Sequence, residues 1–468
     1  MGVESRGAGA AEDGRWTMRR EDGKGGGGTA ECDLLVAGGT VVPMVPGSEP
    51  LADGALAVRA GAIVEVGEAA DLRARYRAAS VLEADGGLIL PGFVNTHTHL
   101  AMTLLRGLAD DLPLRDWLEK HIWPTERALM TAETVVLGTR LAIAESIQAG
   151  VTCVCDMYFH AEHVAEAVAA AGLRAVVPEA MIDFPTPSCP TPEHALVKQR
   201  ELWERYRTHP LIVPAVAPHS PYSVSASNLV KEAELAEELG VPLVVHVAET
   251  RWEAEKIKAE KGVSPVAYLA DLGILSERTV AAHCVHVSEA DLALLAEFEV
   301  GVASNPVSNL KLASGVAPVP QMLHRGIKVG FGTDGAASNN TLDLLRDAQL
   351  ACLLYKGISG DPTCMPARTV AEMLTLGGAK VLGLDDRIGT LEPGKRADVV
   401  CLAVDRPHAV PVFDPYSHIA YAARASDVCH VVVEGRTLLR DRTLVDIDVD
   451  GLLAEVRSAA DRVRRLAT

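Results

Sequence analysis

The sequence predicts an α/β protein: a (β/α)8 TIM barrel with a composite β-sandwich domain formed by both flanks of the chain. Between about residues 88 and 392, apolar runs of strand length alternate with longer helical patterns, and eight such runs can be counted. Polar residues suited to chemistry end these runs, and short β-rich runs broken by glycine occupy both flanks. Continuous apolar strands that alternate with helices indicate a parallel sheet buried on both faces, and eight βα units indicate a barrel.

The two flanks of the chain predict the second domain. Residues 1–30 are rich in glycine and charge, which predicts a disordered extension. Residues 31–87 and residues 393–445 contain short strand-like runs, such as CDLLVAGGTVVPM and DVCHVVVEGRTLLRD, and we expect them to build one β-sandwich. Residues 446–468 are expected to form a carboxyl-terminal helix.

The barrel is expected to span residues 88–392. Its strand-like runs include LILPGFVNTHTH, GVTCVCDMYF, VPLVVHVAET, TVAAHCVH and KVGFGTDGAASNN. Between the fourth and fifth runs, SASNLVKEAELAEELG predicts a helix over residues 225–240, with a serine at its start and Gly240 as its stop. The active sites of such barrels lie at the carboxyl ends of the strands, so residues at those ends are the candidates for function.

Composition excludes several classes of partner. The 468 residues carry a formal net charge of −18, which argues against nucleic acid and acidic membrane surfaces, because both attract clusters of Lys and Arg. The cysteines include no CxxC pair, which is typical of reduced intracellular proteins. No apolar stretch approaches the roughly 18 residues of a membrane span, and the amino terminus lacks the apolar centre of a signal peptide. We expect a cytoplasmic protein.

Three histidines and one carboxylate at separate strand ends form a candidate metal site. His97 and His99 follow the first run and, two residues apart in a strand, they point to the same side. His246 ends the fifth run and Asp334 the eighth. Each residue alone has an ordinary structural explanation, such as a helix cap for Asp334. Together they favour a borderline cation such as Zn²⁺, with an open position for water.

Such a site indicates metal-assisted hydrolysis, because a bound divalent metal lowers the pKa of its water from about 15.7 to about 7. Asp334 can take the proton of that water. Glu249, three residues after His246, can protonate a substrate atom, although a solvated loop carboxylate is the alternative interpretation. His283, at the end of the sixth run, can hydrogen-bond the attacking water and stabilise the charge of the transition state.

The chain resembles the amidohydrolase superfamily, in its adenosine-type deaminase branch, and most closely the 5′-methylthioadenosine/S-adenosylhomocysteine deaminase family. The resemblance runs from about residue 33 to 440 and rests on PGFVNTHTHLAMTLLRGLADDLPLRDWL, HVAET, AAHCVH, SNPVSNLKLASG and GTDGAASNN. It implies the barrel and the composite sandwich. It also implies one Zn²⁺ per subunit, or Fe²⁺ in some members, bound by His97, His99, His246 and Asp334.

The resemblance implies further roles as well. Glu249 is the proton shuttle to the purine ring nitrogen, and His283 lies next to the water. Glu126, 27 residues after His99, matches the ribose-binding glutamate of the family, and a carboxylate can accept hydrogen bonds from two adjacent hydroxyls. His219, in APHSPY, matches the residue that contacts the base.

The chain departs from the family in one respect. Many members carry an arginine near the end of the third strand and another in the following loop, and both contact the distal group of the substrate. Here the matching positions fall near Glu179 and Pro192, and residues 175–199 contain no arginine. The carboxylate of S-adenosylhomocysteine would lose a bidentate partner worth about 1.5–3 kcal/mol. We therefore expect a weaker preference for S-adenosylhomocysteine than for 5′-methylthioadenosine or adenosine.

The sequence predicts a zinc-dependent deaminase that converts adenine nucleosides (5′-methylthioadenosine, adenosine, S-adenosylhomocysteine) into inosine-type products and ammonia. One alternative is a deaminase or chlorohydrolase of another amino-substituted N-heterocycle, of guanine, pterin or triazine type. The other alternative is a non-catalytic amidohydrolase-like scaffold, which the complete set of ligand positions disfavours. The expected partner is a small nucleoside, and a homo-oligomer is expected because superfamily members are commonly dimers or larger.

Overall fold

The computed structural model describes residues 18–19 and 29–467. The extension predicted for residues 1–30 therefore falls almost entirely outside the described residues. Within the described part of the chain, none of the helices combines the length and the apolar character that crossing a bilayer requires.

Eight parallel strands form the predicted (β/α)8 barrel. The last strand, Lys328–Phe331, resumes at Asp334–Gly335 and pairs there with the first, with Asp334 opposite Thr98 and Gly335 opposite His99. This pairing closes the sheet and brings the first and last strand ends together. In the order in which they pair, the remaining strands are Phe93–His99, Val151–Asp156, Arg174–Met181, Ile212–Pro218, Leu243–Val247, Thr279–His283 and Gly301–Ser304.

Helices follow the barrel strands, as the βα rhythm of the sequence predicts. The helix predicted over residues 225–240 is confirmed: it spans Ala226–Leu239, with Ser225 as its N-cap residue and Gly240 ending it at φ 66°. The other helices are Ala132–Gln148, Ala161–Ala171, Pro192–Tyr206, Arg251–Lys261, Pro265–Asp271, Glu289–Glu297, Pro306–Lys311, Val319–His324, Ala336–Asn339, Leu344–Ser359, Ala367–Glu372, Met373–Gly377 and Gly378–Val381.

The connection after the first strand is long and irregular. It is built from four short helical pieces before the helix Ala132–Gln148 begins. These pieces are Leu100–Leu105, Leu114–Asp116, Trp117–Ile122, which is a π-helical turn, and Trp123–Leu129. Side chains of this connection form one wall of the cavity at the barrel mouth.

The run LILPGFVNTHTH, predicted as one barrel strand, contains two strands of different sheets. Leu88–Pro91 pairs with Val399–Leu402 outside the barrel, and the barrel strand begins only at Phe93. A Cβ atom on Gly92 would lie 2.0 Å from Oγ1 of Thr152, so only glycine permits this approach of the first two barrel strands. The apolar pattern does not mark this change of sheet.

Both flanks contribute strands to one ten-stranded sheet, as predicted. The amino-terminal strand Ala30–Val41 pairs with Leu88–Pro91, which in turn pairs with Val399–Leu402 from the other flank. The other strands are Met18–Arg19, Leu51–Arg59, Ala62–Glu68, Tyr76–Glu83, Val428–Val433, Arg436–Arg440 and Thr443–Leu444. This flanking sheet buries an apolar cluster of its own, which contains residues of both flanks such as Leu56 and Val432.

The remaining helices lie in the flanks. Ala69–Arg75, Pro415–Tyr421 and the short helix Ala425–Asp427 occur within them. The carboxyl-terminal helix Val449–Ala467 contacts the barrel helix Ala132–Gln148.

A buried ion-pair network joins the barrel to the flanking sheet. The side chain of Arg174, the first residue of the third barrel strand, has no exposed surface. Its Nε and Nη2 atoms donate to the two carboxylate oxygens of Asp398 at 2.8 and 3.0 Å, and Nη2 also donates to Glu434 at 2.7 Å. Asp398 directly precedes Val399–Leu402 and Glu434 directly follows Val428–Val433, so one arginine fixes two flanking strands against the barrel.

Replacing Arg174 with alanine is expected to lower the free energy of unfolding by about 3–5 kcal/mol, because a buried carboxylate then loses its partner. Denaturant unfolding measures the loss. Arg200→Ala is the control, since it removes an exposed pair with Glu238 and should cost at most about 1 kcal/mol. Equal losses in the two variants would show that the network contributes no more than a surface pair.

Candidate active site

The four predicted metal ligands lie together at the carboxyl ends of three barrel strands. The ring centroid of His97 lies 4.8 Å from that of His99 and 4.8 Å from that of His246. Nε2 of His99 lies 3.1 Å from Oδ1 of Asp334, and the ligand atoms of His97, His99 and Asp334 all lie within 4.8 Å of one another. The barrel therefore places these side chains close enough to share one ion, and their roles as ligands stay a prediction.

Backbone carbonyls orient two of these imidazoles. Nδ1 of His99 lies 2.5 Å from the carbonyl oxygen of Met157, and Nδ1 of His246 lies 2.7 Å from that of His219. An Nδ1–H that donates to a carbonyl leaves the lone pair on Nε2 free for a metal. The two carbonyl contacts thus favour the Nδ1–H tautomer, in which Nε2 can bind a metal.

The buried environment of His97 is the feature of the site that best fits a bound cation. It is fully buried, and neither ring nitrogen makes a hydrogen bond to the described residues, although Nε2 lies 3.6 Å from Oδ1 of Asp334. A buried polar group without a partner costs about 1–3 kcal/mol, so it usually has a ligand to satisfy it. Burial lowers the pKa of His97 to about 4, which keeps the imidazole neutral. With a carboxylate beside it, this donor set suits Zn²⁺.

The carboxylate of Asp334 is held by two serine hydroxyls. Its Oδ2 atom accepts hydrogen bonds from Oγ of Ser308 at 2.6 Å and of Ser338 at 2.8 Å, while Oδ1 faces the imidazoles. The helix-cap alternative does not apply, because the N-cap residue of the next helix is Gly335. Asp334 adopts a φ of 60°, a strained conformation for a residue with a side chain, and such strain clusters at functional sites.

His283 lies between the candidate metal cluster and Glu249. Its ring centroid lies 5.5 Å from those of His97 and His246, and its Nε2 atom lies 3.9 Å from Oε2 of Glu249. Its Nδ1 atom lies 2.8 Å from Oδ1 of Asn309, which holds the ring. Its own φ of 74° is again in the left-handed region.

Glu249 is buried, which rules out the alternative of a solvated loop carboxylate. Its Oε1 atom accepts a hydrogen bond from Oγ of Ser314 at 3.0 Å. Burial raises the pKa of Glu249, which favours the protonated form that a proton donor needs.

Glu253 supports the loop that carries Glu249, and its role was not identified from the sequence. Its two carboxylate oxygens accept from the backbone N–H groups of Ala248, at 2.8 Å, and of Glu249, at 2.9 Å. Ala248 has a φ of 51°, so these bonds hold a strained turn in place. The pattern Thr250-x-x-Glu253, typical of a helix start whose glutamate reaches back, was the available signal.

A cavity, here called the inner pocket, contains seven of the eight predicted site residues; His97 alone is outside its lining. The irregular connection after the first strand forms one of its walls. The lining residues are His99, Met102, Leu114, Trp117, Leu118, Ile122, Trp123, Glu126, Met157, Tyr158, Phe159, Ala180, Ile182, His219, Tyr222, His246, Glu249, His283, Leu312 and Asp334.

Glu126 and His219 both line the inner pocket. Glu126 is buried, and its Oε1 atom accepts a hydrogen bond from the hydroxyl of Tyr158 at 2.6 Å. Burial raises the pKa of Glu126 to about 7. Burial also lowers the pKa of His219 to about 3, and its Nδ1 atom lies 2.9 Å from Oγ of Ser223. Tyr158 was not identified from sequence, because a tyrosine at a strand end has no distinctive pattern.

Not every polar strand end belongs to the site. Asp156, Glu179 and Asp183 also end barrel strands or lie just beyond them, yet each accepts a hydrogen bond from a backbone N–H and holds a loop or helix start.

A larger cavity of about 920 Å³, here called the outer chamber, lies directly outside the inner pocket. The two cavities share a neck formed by Leu114, Leu118, Trp123, Tyr222 and Leu312. The other lining residues of the outer chamber are Asp111, Leu112, Pro113, Arg115, Glu119, Phe184, Ser223, Thr250, Arg251, Trp252, Lys256, His286, Lys311, Ala313, Ser314 and Gly315.

Comparison with protein families matches residues 88–438 to the amidohydrolase family. A 5-methylthioadenosine/S-adenosylhomocysteine deaminase from Syntrophobacter fumaroxidans is 46% identical over 93% of this chain and 100% of the relative. A protein of the same name from Thermodesulfovibrio yellowstonii is 43% identical over 89% of this chain and 95% of the relative.

Solved structures share the fold. An adenosine deaminase from Xanthomonas campestris with bound zinc has a TM-score of 0.92 and 41% identity, covering 94% of this chain and 100% of that one. The zinc complex of an atrazine chlorohydrolase from Arthrobacter aurescens has a TM-score of 0.84 at 24% identity, covering 91% of this chain and 100% of that one. At that identity the second likeness concerns the fold alone.

Proposed function

This chain belongs to the amidohydrolase family, and on that premise we propose that it is a zinc-dependent aminohydrolase of adenine nucleosides. Water replaces the 6-amino group of the purine, so that a C–O bond forms at C6, the C–N bond breaks, and ammonia leaves. The substrates of the similar proteins, 5′-methylthioadenosine, S-adenosylhomocysteine and adenosine, define the proposed substrate class.

One observation carries the proposal: Glu126 lies in the same inner pocket as the candidate metal cluster. A buried carboxylate beside a hydrolytic centre suits a sugar with two adjacent hydroxyls, because it can accept a hydrogen bond from each. A free base, a pterin or a triazine lacks the two adjacent ribose hydroxyls that this carboxylate could bind.

The mechanism assigns a task to each residue. A Zn²⁺ ion held by His97, His99, His246 and Asp334 would lower the pKa of a bound water and supply a nucleophile near neutral pH. Asp334 accepts the proton of the attacking water and passes it to the departing amine. The hydroxyls of Ser308 and Ser338 keep the carboxylate of Asp334 in position for that transfer.

Glu249 acts on the purine ring, and His283 acts on the attacking water. Ser314 occupies Oε1 of Glu249, which leaves Oε2 to deliver a proton to N1 as water attacks C6. His283, fixed by Asn309, hydrogen-bonds the attacking water and stabilises the developing negative charge. His219 contacts the base.

Replacing Glu126 with alanine is expected to lower kcat/KM for 5′-methylthioadenosine about 100-fold, because two charge-assisted hydrogen bonds to the ribose are lost. Steady-state kinetics with the natural nucleoside and with an analogue that lacks both ribose hydroxyls measure the effect. The analogue is the control, and its turnover should hardly change. Full activity of the variant on ribosides would favour a free-base substrate instead.

The test of the proposed function is to incubate zinc-loaded protein with adenine nucleosides and to measure the loss of adenine absorbance and the release of ammonia. We expect turnover of at least one of the three named nucleosides. Hydrolysis of guanine, a pterin or a triazine without turnover of any adenine nucleoside would overturn the proposal.

We also propose the metal content, the oligomeric state and the cellular compartment of the protein. It includes one Zn²⁺ per subunit, with Fe²⁺ as the alternative metal, in a cytoplasmic homo-oligomer. Metal analysis of the purified protein tests the stoichiometry, and light scattering tests the oligomeric state.

A further inference from the structure

The outer chamber is the place where the distal part of a substrate must lie. The neck residues border both cavities, so a nucleoside whose base and ribose fill the inner pocket directs its 5′ substituent through the neck. Trp123 and Tyr222 line that passage, and their partners Phe184, at 5.1 Å between ring centroids, and Trp252, at 5.3 Å, continue the aromatic walls outward. These walls suit the apolar carbon and sulfur atoms of a thioether.

The lining of the chamber includes four cationic side chains, Arg115, Arg251, Lys256 and Lys311, and two carboxylates, Asp111 and Glu119. A cation in a cleft attracts an anionic group of a ligand most strongly when no carboxylate of the protein already neutralises it.

Three of the four cations already have carboxylate partners. Nε of Arg115 lies 2.9 Å from Glu119, and its guanidinium lies over the ring of Trp252. Lys311 pairs with Asp110 at 2.6 Å, and Lys256 pairs with Glu260 on its own helix.

Arg251 is the exception. Among the residues that the structure describes, it has no ion pair, and none of them accepts a hydrogen bond from its side chain. It is the first residue of the helix Arg251–Lys261, whose start is fixed by Oγ of Thr250, which accepts from the backbone N–H of Glu253. This start follows directly after the proton donor Glu249, so the base of the Arg251 side chain has a defined position relative to the catalytic groups.

We propose that Arg251 determines specificity by binding an anionic group at the far end of the 5′ substituent, and that this group is the carboxylate of an amino acid joined through a thioether. The inference rests on the proposed function, since it requires the base to lie at the metal cluster. It also replaces the expectation drawn from the lack of arginine in residues 175–199, because the fifth strand's loop supplies the cation that the third strand's loop lacks.

A phosphate is the other anionic group that a nucleoside could carry. The phosphate and the carboxylate differ in their distance from the ribose. The phosphate of a nucleoside 5′-monophosphate is attached directly to the ribose and would lie in the apolar neck. The carboxylate of S-adenosylhomocysteine is several bonds farther out and can reach the chamber, where a guanidinium can bind it through two parallel hydrogen bonds. The carboxylate is therefore the ligand expected at Arg251.

The test compares kcat/KM of wild type, Arg251→Gln and Arg251→Lys on 5′-methylthioadenosine, S-adenosylhomocysteine and adenosine 5′-monophosphate. Arg251→Gln should lower kcat/KM for S-adenosylhomocysteine about tenfold, mainly through KM, since an exposed charge-assisted contact is worth less than a buried one. Its value for 5′-methylthioadenosine should hardly change, and Arg251→Lys should retain part of the preference. Lys258→Gln is the matched control, because Lys258 is an exposed cation of the same helix outside the chamber.

Each outcome has a defined meaning. An equal loss on both thioethers, an unchanged ratio, or an effect as large in Lys258→Gln would overturn the assignment to Arg251. A loss confined to the monophosphate would overturn the choice of a carboxylate. Wild type inactive on every adenine nucleoside would contradict the proposed function instead, whereas activity on 5′-methylthioadenosine without sensitivity to Arg251 would contradict this inference alone.

Discussion

Asp334→Asn is expected to lower kcat by about four orders of magnitude, the upper range for loss of a group that transfers protons in the transition state. Asparagine keeps the shape of the side chain but has no negative charge for the metal. Its amide group cannot carry a proton from water to amine. The Ser308 and Ser338 hydroxyls, which now donate to Oδ2, would hold the amide in the same place, so the fold should persist.

Steady-state kinetics, metal content and thermal unfolding of Asp334→Asn together check this expectation. Ser338→Ala is the graded control: it removes one of the two bonds that orient Asp334 and should cost about 10–100-fold, as is usual for residues that support a metal ligand. Activity of Asp334→Asn within tenfold of wild type would remove Asp334 from the proposed chemistry.

Glu249→Gln is expected to lower kcat by about 10²- to 10⁴-fold while the bound metal is retained, because the amide cannot protonate N1. Ser314 can still bond to the substituted side chain, so the geometry of the loop should change little. Kinetics on 5′-methylthioadenosine and metal analysis of the same preparation distinguish a lost proton donor from a lost metal.

Glu255→Gln is the control for this variant, since Glu255 is an exposed carboxylate on the adjacent helix and should be neutral. A Glu249→Gln protein with wild-type kcat would show that another group protonates the ring. A protein that has lost its metal would show that Glu249 supports the ligands rather than the substrate.

The positions of the site residues were predictable because the ends of the barrel strands could be recognised in the sequence. An apolar run followed by a polar residue is visible in sequence, and the carboxyl ends of parallel barrel strands meet at one rim. His97, His246 and Asp334, from three distant runs, could therefore be placed together. The same rule also selects Asp156 and Asp183, which accept hydrogen bonds from the backbone N–H groups of loops, so position alone does not separate chemistry from loop support.

The residues that hold the site in place were not predictable in this way. Ser308 reaches Asp334 across 26 residues and Tyr158 reaches Glu126 across 32, and no local pattern encodes either contact. The division of the run at Gly92 depends on how close the first two barrel strands come, which is a property of the packed barrel. The role proposed for Arg251 depends on the chamber that it lines, and no local sequence pattern indicates that chamber.

The pairing of Leu88–Pro91 with Val399–Leu402 has a consequence for biosynthesis. A ribosome releases the first of these strands some 300 residues before its neighbour, so the amino-terminal β segments stay incomplete while the whole barrel is translated. Contacts separated so far in sequence form slowly. During that interval one strand edge is unprotected, and unpaired edges of this kind promote aggregation. The last strands to emerge therefore finish a sheet that the first strands began.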